Sequence, residues 1–161
     1  MREVLAWLQS SVLGEFMTSS GPWTYPIVNV IHVFGVATLF GSVAVMDLRL
    51  LGAWRRAPLP AITTVAAPVA MAGFAVAATS GVCLLAANAL DYEHNPVLLV
   101  KFSAIALGFV NAVALRRTPA WRAHTTRDLS AAEARRLGVM GAVSLASWTT
   151  AVGAGRMIGY W

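Results

Sequence analysis

Four long apolar runs, few charges and arginines gathered into two of the connections predict an all-α fold: an integral membrane four-helix bundle with a short N-terminal interfacial helix. Charged residues make up 12% of the chain and hydrophobic residues 58%, against about 25% charged in soluble domains. A hydrocarbon core about 30 Å thick takes about 20 apolar residues at about 1.5 Å of helical rise each. Nine of the twelve Lys and Arg residues lie between Arg49 and Arg56 or between Arg116 and Arg136, connections that a four-span topology puts on one side. The formal charge of +5 follows from those loops and calls for no nucleic-acid partner. Residues 1–161 are expected to form one membrane domain, with no soluble segment long enough to act alone.

Residues 3–17 place Val4, Leu5, Leu8, Val12 and Phe16 at helical spacing with Trp7 nearby. That pattern suits a helix lying in the interface better than one spanning it. Arg2 is followed at once by Glu3, and no small-residue cleavage site precedes the first span, so Met1 is expected to be retained. Ser19, Ser20, Gly21 and Pro22 end the helix.

The first span, about 26–48, opens at an aromatic anchor of Trp23 and Tyr25 with Pro26 in its first turn. It closes in Asp47, Arg49, Gly52, Arg55 and Arg56, with Asp47 and Arg49 read as a clamp on the helix end, and Pro58 and Pro60 stop simple continuation. The second, about 62–87, carries no charged side chain; Gly73, Ala77 and Gly81 fall four apart as a ridge for close helix approach, and Pro68 is a potential kink. The loop from Asn88 to Asn95 holds Asp91, Glu93 and His94 without Lys or Arg. The third span, about 96–115, contains Lys101 near its start and Asn111 near its end, the latter suited to an interhelical hydrogen bond. Ser130 and Glu133 read as the capping box of the fourth helix, whose span is about 137–159 with Gly138, Ala142 and Ala146 four apart. Tyr160 and Trp161 make a closing aromatic anchor. The arginines predict a multi-pass protein of the bacterial inner membrane with both termini periplasmic.

In that orientation the polar residues of the spans converge in depth. His32 lies roughly 10 Å below the outer end of span one at the helical rise. Lys101 and Arg156 sit at similar depths on spans three and four, and His94 is in the outer loop. An ionisable group inside a span is a functional candidate by default. Gly35, one turn from His32, leaves space beside the ring. A helix histidine with space for a flat macrocycle and nearby cations for its propionates is what haem b needs: His32 as axial ligand, Lys101 or Arg156 on a propionate, and Met157 or His94 as second ligand. Each residue also has a plainer role, since Lys101 and Arg156 can snorkel, Gly35 can serve helix contact, and His94 and His124 can be ordinary loop residues. The sole cysteine, Cys83, excludes an intramolecular disulfide. The absence of a Cys pair, HExxH, GxSxG or a phosphate-binding glycine loop removes the residues for zinc hydrolysis, serine catalysis and nucleotide hydrolysis.

The first span, YPIVNVIHVFGVATLFGSVAVMDLRLLG, and the third, NPVLLVKFSAIALGFVNAVALRR, resemble a widespread bacterial family of small four-span inner-membrane proteins. His32, Gly35 and Lys101 are also distantly similar to the membrane domain of copper-resistance protein D and to the four-span protoporphyrinogen oxidase that binds haem. The resemblance implies a haem-binding or redox-linked module with His32 as ligand. Asn29 departs from the acidic residue expected three positions before that histidine, and an amide cannot exchange protons as a carboxylate does. The leading expectation is a haem b protein passing electrons near the periplasmic face, to or from quinone or a larger redox complex, as part of a homo- or hetero-oligomer. The competing expectations are copper handling through His32, His94 and Met157, and a structural accessory subunit.

Overall fold

The computed structural model describes residues 2–160, so the expectations for Met1 and for Trp161 lie outside the described residues. Four helices are long and apolar enough to cross a bilayer: α3 (Thr24–Leu50), α4 (Leu59–Ala87), α5 (Pro96–Arg117) and α7 (Ala131–Met157), the last extended by a 3-10 turn at Ile158–Tyr160. They form an all-α, multi-pass membrane bundle. Ahead of them stand α1 (Arg2–Gln9) and α2 (Val12–Ser19), and the short α6 (Pro119–Ala123) sits between α5 and α7.

The N-terminal segment is therefore two helices and not one helix over 3–17. Ser10 and Ser11 divide it: the Ser11 hydroxyl donates to the Leu8 carbonyl at 2.6 Å and accepts from the Gly14 N–H at 3.4 Å, so it competes with the helical ladder and caps α2. Leu5 and Met17 are buried while Val4, Trp7, Val12 and Phe16 are exposed, an apolar face suited to the headgroup boundary. Gln9 Oε1 accepts from the Leu90 N–H at 2.9 Å, which ties α1 to the turn after α4.

Glycine sets the contact between α3 and α4. A Cβ on Gly73 would stand 2.5 Å from the Leu39 nitrogen, and one on Gly35 would stand 2.7 Å from the Ala77 nitrogen. The two backbones touch directly, as the spacing of Gly73, Ala77 and Gly81 predicts. The space at Gly35 is thus taken by the contact with α4 and not by a macrocycle, which corrects the reading of that glycine as room for one. On α7 the buried line runs through Gly138, Gly141, Ser144, Ser147 and Ala151, whereas Ala142 and Ala146 are exposed. The buried ridge follows mostly a three-residue step, where four was expected. Helix α7 packs on both α3 and α5. Between α4 and α5 the bundle is bridged by long side chains, with Phe74 and Phe109 stacked at 6.0 Å and Phe74 edge-on to Trp148 at 6.1 Å. Leu39, Val43, Ala70 and Trp148 form the buried centre.

Both connections at the arginine-rich end have stated causes. Gly52, at φ 104, lets the Ala53 N–H reach back to the Leu48 carbonyl at 2.9 Å, closing α3. The capping box of Ser130 and Glu133 is present and starts α7 at Ala131, two turns before the apolar span itself.

Candidate functional site

At the end of the bundle that bears both termini, α3 presents His32 to α4. Its Nδ1 lies 3.1 Å from the Ser80 hydroxyl, and a Cβ on Gly81 would stand 3.0 Å from its Cε1. Glycine at 81 lets the ring lie this close to α4; with a Cβ there the ring would have to give by a few tenths of an ångström. The hydroxyl hydrogen of Ser80 has its own acceptor, the Val76 carbonyl at 2.5 Å. The Ser80 oxygen is thereby available to accept from His32, an arrangement that places the ring proton on Nδ1. That tautomer leaves the lone pair on Nε2, and the ring's hydrogen-bond partners are the Ser80 hydroxyl and the Ala77 backbone.

Lys101 of α5 lies within electrostatic reach of that ring. Its stem and amine pass over Gly155 of α7, where a Cβ would stand 3.6 Å from both Cε and Nζ. Among the described residues it makes no hydrogen bond or ion pair. Four helices thus meet here: His32 from α3, Ser80 and Gly81 from α4, Lys101 from α5 and Gly155 from α7.

The other expected site residues stand elsewhere. Arg156 is exposed, donates to the Tyr160 hydroxyl at 2.5 Å and lies 4.8 Å over that ring, so its guanidinium is committed to the aromatic end of the chain. Met157 is 54% exposed on the outside of α7. His94 lines a loop pocket of about 220 Å³ with Tyr92, Glu93 and Leu98. Among the described residues no three His, Cys, Asp or Glu side chains come together, so copper at His32 and His94 would lack a third ligand of those types.

Two residues carry more than the sequence reading gave them. Ser80 went unremarked, although a hydroxyl in a run without charges is a legible signal. His124 is fixed on both sides, at Nε2 by the Thr63 hydroxyl at 2.8 Å and at Nδ1 by the Trp121 carbonyl, with its ring stacked on Trp121. It is a structural latch between α6 and α4, where an ordinary loop residue was expected.

No curated protein and no solved structure matches the chain, so no similarity to copper-resistance protein D or to protoporphyrinogen oxidase is shown. A family model matches residues 4–161, and the chain belongs to that family, the family of unknown function DUF6644.

Proposed function

We propose that this membrane protein binds haem b through Nε2 of His32 and serves electron transfer, exchanging electrons with quinone or with a larger redox complex. The observation that carries the reading is the hydrogen bond from His32 Nδ1 to Ser80. A metal-ligating histidine needs one nitrogen free and the other engaged, and the engaged N–H orients the ring and raises its basicity. Ser80 supplies that partner, and Lys101 supplies a cation without a counter-charge, to which a propionate carboxylate is the complement.

Bound haem would supply one-electron chemistry. The residues of the chain would orient it: Ser80 sets the tautomer, Gly81 sets the distance of the ring from α4, and Lys101 neutralises carboxylate. Met157 lies exposed on the outside of α7, so His32 is the ligand we assign. The arginine distribution supports an inner-membrane setting in which this site lies towards the periplasm.

The test is the absorption spectrum of protein purified from haem-replete cells, oxidised and dithionite-reduced, beside His32→Ala. A reducible haem b spectrum that is lost in the folded variant supports the proposal. Folded wild-type protein without haem overturns it, and so does haem that survives His32→Ala.

A further inference from the structure

We propose that Asp47 and Ser144 form a proton-binding site in the arginine-rich half of the bundle, separate from the His32 site. Asp47 is a span carboxyl only 4% exposed, and its Oδ2 is a buried side-chain atom with no hydrogen-bond partner among the described residues. Its backbone lies against α7 where that helix has no side chain, since a Cβ on Gly141 would stand 3.2 Å from the Asp47 carbonyl oxygen. The polar group set against the carboxyl is the Ser144 hydroxyl, itself buried.

Among the described residues no charge from a neighbouring helix pairs with it. Arg49, two residues on, donates instead to the Ala57 carbonyl at 2.9 Å. Helix α4 has no ionisable side chain except Cys83, near its other end. On α5, Lys101 belongs to the opposite end and Arg116 reaches Met71 Sδ at 2.9 Å. On α7, Glu133 is engaged by Arg127, and Arg135 and Arg136 are exposed. An ionised carboxylate taken from water without a counter-charge is far more costly than the neutral acid, whose O–H and C=O can be satisfied by one hydroxyl or a water. The expected occupant of Oδ2 is therefore a proton.

At this end of the bundle lies a basin of about 830 Å³ whose lining includes Leu50, Leu137, Arg49, Arg55, Arg56 and His124, and Leu50 and Asp47 both approach Gly141. In the other direction Leu39, Val43, Ala70 and Trp148 fill the bundle. Asp47 would release its proton to water in the basin, leaving a carboxylate, and take it back from the same face.

The test is infrared difference spectroscopy on the full chain in lipid nanodiscs, with pH steps and exchange into D₂O, without any cofactor. The expected result is a protonated-carboxyl C=O band at neutral pH that Asp47→Asn lacks and that Ser144→Ala shifts to higher frequency. Asparagine is the neutral isostere of the proposed state, so Asp47→Asn should fold and melt like the wild type at neutral pH. Absence of the band at neutral pH, its survival in Asp47→Asn, or failure of Asp47→Asn to fold would each overturn the proposal.

Discussion

Substituting Gly73 by alanine tests the backbone contact that sets the distance between α3 and α4. The added Cβ would stand 2.5 Å from the Leu39 nitrogen, short of an ordinary 3.4 Å contact, and 3.0 Å from both the Gly35 oxygen and the Leu39 Cα. No side chain can swing away, because all three atoms are backbone; α3 itself must retreat by about 0.9 Å. Overpacking of this kind costs about 1–3 kcal/mol, against about 0.5–1 kcal/mol gained by replacing glycine within a helix. A net loss of about 1–2 kcal/mol corresponds to a melting point lower by roughly 2–8 °C for a chain of this size. The control is Gly41→Ala, on the same pair's exposed side, where a Cβ meets nothing within 4 Å and only the helical gain applies. Thermal unfolding in detergent, followed by helical circular dichroism, should move in opposite directions for the two variants. Equal shifts would refute the close contact, and with it the account of why Ser80 reaches His32.

Two further outcomes follow from single contacts. Asn111 Nδ2 donates to the Met140 carbonyl at 2.9 Å, joining α5 to α7; Asn111→Ala should lower stability by about 0.6–2 kcal/mol, the range of interhelical hydrogen bonds in membranes, in the same unfolding assay. Burial first, then the charges and hydroxyl of Tyr25 and Asp91, holds the Tyr92 phenol above the ordinary tyrosine range. The fold favours the neutral phenol, so its contribution is complete below about pH 10 and is lost as pH rises through the folded value; an ultraviolet titration should lose its latest tyrosine step in Tyr92→Phe.

Much of this bundle is written in one-dimensional spacing. Gly73, Ala77 and Gly81 repeat every four residues and do face α3, because a helical stripe survives whatever it packs against. The capping box is equally local, needing only Ser130 and Glu133. The site was legible in part: His32 and Lys101 share a depth that rise per residue gives directly. Rotation about the helix axis is not encoded that way. Arg156 lies one residue from Gly155, yet Gly155 meets Lys101 while Arg156 turns outward to Tyr160. Gly35 reads equally as empty space or as a contact until the position of Ala77 is known. The burial of Asp47 depends on Gly141, about ninety residues away, so nothing near MDLRLLG marks it as more than a helix-end clamp.

His32 can ligate iron through Nε2 only while its proton sits on Nδ1. Nitrogen-15 spectra of histidine-labelled, cofactor-free protein read that position, with His32→Ala assigning the signals. The expected result is a protonated Nδ1 and a bare Nε2 at neutral pH, with the preference lost in Ser80→Ala; a proton fixed on Nε2 in the wild type would contradict the assignment of His32 as the ligand.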